Sequence, residues 1–95
     1  YKIDLAREWK DFSGLPFVFA CWTANKKLDE EFIEELNNAL RSGVNNIDEV
    51  VEKFGKTGTI TGNNLKKYLT ENIDYNFNEE KIKALNLFLE LMDKL

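Results

Sequence analysis

One apolar stretch decides the predicted fold: residues 15–24, which read LPFVFACWTA. The stretch is short, continuous and rich in aromatic residues, and Pro16 is tolerated in a strand only near its start. Such a run is typical of a strand buried on both faces, as in a parallel sheet covered by helices. A buried helix is the alternative, because the periodicity of so short a run does not separate the two.

A short helix is predicted immediately before this stretch. Asp4 is suited to the N-cap, and Leu5, Trp9 and Phe12 recur at helical spacing on one face of the helix, where Trp9 is expected to be a core residue. Gly14 follows the last of them and suits the position just past a helix end. The chain is therefore predicted to pass directly from this helix into the apolar stretch.

Four further helices are predicted after the stretch. Apolar residues recur at helical spacing over about residues 29–43, 46–54, 62–73 and 78–94. The last of these is apolar on nearly all sides in its second half, which is typical of a helix buried on several sides. The predicted N-caps are Asp29, Asn46, Thr61 or Asn63, and Asn78, and the predicted stops are Gly43 and Gly55. Residues 56–62 are rich in threonine and glycine and are predicted to form a loop.

The predicted strand has no partner in this sequence. A buried strand with unpaired N–H and C=O groups would cost several kcal/mol, so its neighbours are expected in sequence beyond these 95 residues. Tyr1, in place of an initial methionine, is a weaker sign of the same kind. We therefore expect one compact unit, within the size range of a single domain, that belongs to a larger polypeptide.

Composition excludes several classes of function. The net charge is −4 and the lysines are scattered among acids, which argues against nucleic-acid binding. The chain has no histidine and a single cysteine, Cys21, so a disulfide within the chain, a Cys/His zinc site and a histidine-based catalytic triad are excluded. Cys21 lies in the apolar stretch and is predicted to be a small buried hydrophobe. The glutamates at 30, 31, 34 and 35 fit a solvated helix start better than a cation site.

The sequence also predicts where the protein works. No apolar run reaches the roughly 20 residues that cross a bilayer. Residues 1–10 are charged and contain no apolar signal core. We therefore expect a cytoplasmic protein with no membrane partner.

Residues 4–22 resemble a known family. Asp4-Leu5, Trp9 and the run SGLPFVFACW at 13–22 resemble the DLG..W...TGLPFVFAVW stretch of the chorismate dehydratase family. The family's YL...I.Y.L.EE passage is similar to Tyr68-Leu69, Ile73, Tyr75, Phe77 and Glu79-Glu80 here. Two positions depart from the motif: Ala6 stands where glycine is usual, and Cys21 where valine is usual.

The resemblance implies a fold and an activity. The fold would be α/β, this chain being the C-terminal part of a two-lobed, periplasmic-binding-protein-like (type 2) fold, with one crossover strand at 15–24 followed by three or four helices. The activity would be a lyase reaction, the dehydration of chorismate to 3-enolpyruvylbenzoate in the futalosine route to menaquinone. No cofactor is implied, and this part alone would be inactive.

The resemblance also implies a substrate-binding segment. Gly14, Leu15, Pro16 and Phe17 would line the cleft that holds a dicarboxylate, with no catalytic residue in this chain and the catalytic base elsewhere in the polypeptide. Gly14 could instead be only a helix cap and Phe17 only a core residue. Two other functions remain open: a binding protein of the same fold that delivers a carboxylate to a transporter, and a small helical interaction module. The sequence does not indicate an oligomeric state.

Overall fold

All regular secondary structure in the described part of the chain is helical. The computed structural model describes residues 1–56, 60 and 62–95. The α-helices are α1 (Leu5–Ser13), α2 (Glu30–Asn45), α3 (Ile47–Phe54), α4 (Gly62–Lys67) and α5 (Glu79–Asp93), and a π-helical turn (Tyr68–Asn72) continues α4. The predicted loop at 56–62 lies mostly outside the described residues. Thr61, one of the two residues suggested as N-cap of the helix at about 62–73, also lies outside them. None of the described helices combines the length and the apolar character needed to cross a membrane.

The chain divides into two compact units where the sequence predicted one. Unit 1 joins the two ends of the chain, Tyr1–Thr23 and Asn76–Leu95, and unit 2 is the intervening Ala24–Tyr75. Unit 1 therefore contains α1, the apolar stretch and α5, and unit 2 contains the remaining helices.

Helix α1 begins and ends as the sequence predicts. The Asp4 carboxylate accepts hydrogen bonds from the backbone N–H groups of Ala6 and Arg7, at 3.1 and 3.2 Å. Gly14 ends the helix in the left-handed region, with φ 71°. The Asp4 carboxylate at the start of the helix and the Gly14 N–H, which bonds to the Lys10 carbonyl at its end, satisfy backbone groups that helix termini leave unpaired.

Unit 1 is held together by an aromatic cluster of Trp9, Phe17, Phe19 and Phe88. The Phe88 ring lies edge-on to the rings of Trp9 and Phe17, with centroids 5.6 and 5.5 Å apart, and Phe17 meets Phe19 at 5.0 Å. These are favourable edge-to-face geometries. A residual cavity of only about 10 Å³ remains beside Trp9, Phe17 and Phe88, so α1, the apolar stretch and α5 pack closely here.

Helix α5 is less buried than its sequence predicts. Ala84 is buried against the aromatic cluster, and Phe88 is half-buried. Ile82, Leu89 and Met92 remain exposed. The predicted burial on several sides is therefore not observed.

Unit 2 is built from helices that are neighbours in sequence. Lys66 on α4 forms an ion pair with Asp48 on α3, with Nζ and Oδ1 2.7 Å apart. The Gly62 N–H donates to the Gly55 carbonyl at 3.3 Å, so the ends of α3 and α4 approach closely through their backbones. At the π-helical turn, the Thr70 hydroxyl donates to the Lys66 carbonyl at 2.8 Å, a side-chain contact that competes with the regular helical ladder.

Helix α2 runs past its predicted stop. Gly43 lies inside the helix, which ends at Asn45 with Asn46 as the C-cap. Asn46 does not cap α3 through its side chain, contrary to prediction; its Nδ2 donates instead to the Ser42 carbonyl at 2.7 Å. The same side chain could have served either helix, and only the observed backbone geometry decides between them.

The predicted α/β fold is wrong for the described residues. Residues 15–24, expected to be a crossover strand of a two-lobed periplasmic-binding-protein-like fold, form neither a strand nor the alternative buried helix, and no sheet exists in the described part of the chain. A strand is defined by its ladder, and no other described segment forms backbone hydrogen bonds with these residues.

The burial of the apolar stretch explains why it needs no ladder. Residues 15–18 are half-buried, whereas residues 19–24 are exposed, with Phe19 at 81% and Trp22 at 78%. Water can therefore solvate the backbone that was expected to need strand partners. The hydrogen-bonding argument for further sequence loses its premise, which was burial on both faces.

Candidate substrate-binding turn

The four predicted substrate-binding residues lie together in one turn after α1. Gly14 donates its N–H to the Lys10 carbonyl at 2.8 Å and turns the chain away from the helix axis. A Cβ atom built on Gly14 would have no neighbouring heavy atom within 4 Å, so the space beside it is open. A side chain there would still be strained, because φ is positive.

Ser13 links the helix end to the turn. Its hydroxyl donates to the Trp9 carbonyl at 2.7 Å and accepts the Leu15 N–H at 3.1 Å. This side chain therefore satisfies one carbonyl of the last helical turn and one N–H of the chain that leaves it. Ser13 was not among the predicted site residues, although a serine directly before a capping glycine is a residue type that forms such local bonds.

Trp9 fixes the far side of the turn. Its indole Nε1–H donates to the Pro16 carbonyl at 3.1 Å, and its ring packs edge-on to Phe17 with centroids 6.2 Å apart. The sequence predicted a core residue, and Trp9 is indeed half-buried, yet it also provides the side-chain hydrogen bond that joins α1 to Pro16. A buried indole N–H usually finds such an acceptor, but spacing alone does not reveal which one.

The backbone beyond the turn offers unused donors. The N–H groups of Phe17, Val18, Phe19 and Ala20 have no acceptor among the described residues. Peptide N–H groups are suitable partners for carboxylates when a turn presents them to a ligand. The turn thus combines open space at Gly14, apolar side chains at 15–17 and free donors directly after them.

The structure leaves both interpretations of Gly14 and Phe17 in place. Gly14 is a helix C-cap and Phe17 packs in the aromatic cluster, as the structural interpretation predicts. Neither role prevents contact with a ligand on the open side. Substrate binding by Gly14, Leu15, Pro16 and Phe17 remains a prediction.

Within the described part of the chain, no ionisable side chain forms a hydrogen bond or ion pair with residues 14–17. Among the described residues, no three acidic, cysteine or histidine side chains gather where they could hold a metal ion. Cys21 is exposed, which corrects its prediction as a buried hydrophobe. The pKa of the Glu90 carboxyl lies below its usual range because Lys94 Nζ donates to Oε1 at 2.7 Å and adds positive charge nearby, but this pair is exposed on α5.

A second concavity lies on α2 and is chemically unsuited to an anion. It measures about 320 Å³, opens widely to solvent and is lined by one face of α2, including Glu30, Glu34 and Arg41. Two carboxylates and one guanidinium leave this face negative. A dicarboxylate would be repelled there more than attracted.

Comparison with known proteins identifies the class of protein. A family model described as menaquinone biosynthesis matches residues 1–94, which is nearly the whole chain. The chain therefore belongs to the menaquinone biosynthesis family, the family of chorismate dehydratase, as its sequence suggested. This is a family of biosynthetic enzymes, so the chain has an enzymatic role in making menaquinone. No solved structure matches the chain.

Proposed function

We propose that this chain is part of a cytoplasmic carbon–oxygen lyase that dehydrates chorismate to 3-enolpyruvylbenzoate. The family match supports menaquinone biosynthesis as the pathway. The turn at Gly14–Phe17 carries the more specific proposal, because it joins the family-like GLPF sequence to open space and free backbone donors.

The reaction needs a defined set of groups. A base removes a ring proton, and the electrons of that C–H bond form a new ring double bond. The C–O bond of the ring hydroxyl breaks with its electron pair, and the departing oxygen takes up a proton, which the protonated base can return, and leaves as water. The ring becomes aromatic, and no electrons are exchanged with another molecule, so the proposed step requires no redox cofactor. The enzyme must therefore orient a dianion, place a base and exclude water.

The turn is suited to the first and third of these tasks. The N–H groups of Phe17–Ala20 could receive a carboxylate, and the absence of a side chain at Gly14 would let the substrate approach the backbone. Leu15, Pro16 and Phe17 would form an apolar wall that excludes water. We place the base and the other carboxylate anchors in the remainder of the polypeptide.

Exposed apolar side chains support the proposal that the rest of the polypeptide packs against this chain. Leu5, Phe12 and Phe19 are more than two-thirds exposed in unit 1, and Phe32 and Ile33 are exposed on α2 in unit 2. Exposed apolar patches commonly mark surfaces that another body covers. A dye that reports apolar surface should bind the 95-residue chain strongly and the intact protein weakly, and equal binding would contradict the proposal.

Turnover of chorismate tests the function. The intact protein should yield a product lighter by one water, detected by mass spectrometry, with no cofactor added. Gly14→Ala should lower kcat/KM by about tenfold or more, since a strained turn displaces the donors. Gly43→Ala, a glycine-to-alanine change inside α2, is the matched control and should retain full activity.

Other outcomes separate the remaining functions. Tight binding of a carboxylate without turnover would favour the transport protein. If the protein neither binds nor converts a carboxylate, the helical interaction module is the function that remains. A Gly14→Ala variant as active as the control would remove the turn from the substrate site while leaving the lyase activity itself intact.

A further inference from the structure

Trp9 holds the candidate turn from a fixed position. Its indole ring lies nearly perpendicular to the rings of Phe17 and Phe88, with centroids 6.2 and 5.6 Å away and interplanar angles of 73° and 76°. A ring held in this way has one orientation in which Nε1–H points at a single acceptor. That acceptor is the Pro16 carbonyl, 3.1 Å away.

The bond acts at the centre of the turn. Pro16 has no N–H, so its carbonyl is the one backbone polar group through which that residue can be held. The peptide that contains this carbonyl also contains the Phe17 nitrogen, because the two atoms belong to one planar unit. Fixing the Pro16 carbonyl therefore fixes the direction of the first free donor, the Phe17 N–H.

We propose that Trp9 is a positioning residue for the substrate, which orients the Pro16–Phe17 peptide so that the Phe17 N–H can donate to a substrate carboxylate. The inference rests on the proposed function for the identity of the ligand. It adds a residue that lies outside the predicted site and acts through the Pro16 carbonyl, without touching the substrate.

Removal of the indole donor tests the proposal. In the intact protein, Trp9→Phe keeps an aromatic ring and deletes the N–H, and replacement of Trp9 by 3-benzothienylalanine deletes the N–H while keeping the shape of the indole. Either change should raise KM for chorismate by about fivefold, the effect of losing one neutral hydrogen bond, with kcat changed less than about twofold. Trp22→Phe is the matched control, since Trp22 is 78% exposed and makes no hydrogen bond through its indole among the described residues; its KM should not change.

A merely structural role would give a different pattern. Loss of packing alone would lower the melting temperature and the active fraction, so kcat would fall and KM would stay constant. An unchanged KM in the benzothienyl variant would overturn the inference, and because that variant keeps the ring packing it remains informative if Trp9→Phe does not fold.

The inference can fail independently of the lyase activity. If the wild-type protein does not convert chorismate, the proposed function fails, and amide NMR shifts then test the positioning role itself. The Phe17 amide resonance should shift in the benzothienyl variant and stay unchanged in Trp22→Phe. An unmoved Phe17 resonance would show that Trp9 does not orient this peptide.

Discussion

Different contacts stabilise the interior of each of the two units of this chain. In unit 1, residues from opposite ends of the sequence meet through aromatic rings, and the ring centroids of Trp9 and Phe88 are 5.6 Å apart. In unit 2, α3 and α4 follow one another in sequence and meet through an exposed ion pair and a backbone hydrogen bond. Unit 1 thus depends on non-local side-chain packing, whereas unit 2 depends mainly on local backbone geometry.

The difference shows where a function can be placed. A non-local contact must stabilise the closure of a long loop, so it needs large apolar side chains with defined orientations. One of those side chains, Trp9, also contacts the turn at Gly14–Phe17, through the Pro16 carbonyl and the Phe17 ring. Exposed ion pairs such as the one in unit 2 contribute little, so we expect unit 2 to tolerate side-chain changes better.

The largest difference in stability between the two units should appear when one aromatic ring is truncated in each of them. Phe88→Ala removes two edge-to-face contacts and should lower the free energy of unfolding of the 95-residue chain by about 2–3 kcal/mol, somewhat less than for a fully buried ring. Phe32→Ala on α2, where the ring is 49% exposed, should cost less than about 1 kcal/mol. Urea denaturation followed by tryptophan fluorescence measures both, and equal losses would contradict the proposed difference between the units.

Two predicted helix caps give a smaller, sharper comparison. Asp4→Ala in unit 1 removes an acceptor for two backbone N–H groups and should cost about 1 kcal/mol of unfolding free energy. Asn46→Ala in unit 2 removes no cap of α3 and should cost about half as much, through the lost bond to Ser42. Thermal unfolding followed by circular dichroism compares them; a larger loss for Asn46→Ala would mean that its side chain caps α3 in solution.

The smallest effect should come from the charged pair on α5. Because Lys94 lowers the pKa of Glu90 in the folded state, the pair stabilises the fold above the unfolded pKa of about 4.3, and this contribution disappears as the pH falls through the folded pKa. Glu90→Gln should therefore lower the melting temperature by about 1 °C at pH 7 and have almost no effect at pH 2.

A glutamate in unit 2 provides the control for this pH dependence. Glu52 on α3 has no ion pair among the described residues, so Glu52→Gln should change the melting temperature less than Glu90→Gln at pH 7. The same pH-dependent loss in both variants would show that net charge, and not the contact with Lys94, is responsible.

Much of the helical structure could be predicted because its signals are local. The caps at Asp4, Asp29 and Asn78 are confirmed, each by a side-chain oxygen that accepts a backbone N–H within three residues. The predicted helix end at Gly14 is confirmed as well, since its N–H bonds to the Lys10 carbonyl four residues earlier. Gly43 was misread as a stop because glycine permits a helix end without requiring one.

In the candidate site, too, local sequence predicted some features and tertiary packing decided the others. Its four residues are consecutive, so the sequence alone places them in one turn, but their contact with a substrate remains a prediction. Trp9 and Ser13, which hold that turn, were not assigned this role, because the choice of acceptor depends on how α1, the turn and α5 pack.

By itself, the sequence determined the family and most of the helices, because motifs and helix caps are properties of residues close together in the chain. Only the tertiary structure decided the state of residues 15–24. Their composition favours a buried strand, but a strand requires a second segment at hydrogen-bonding distance, and burial requires surfaces on both sides. Unit 1 supplies one partly covering surface, formed by α1 and α5, so the stretch lies half-buried where the aromatic cluster holds it and exposed beyond.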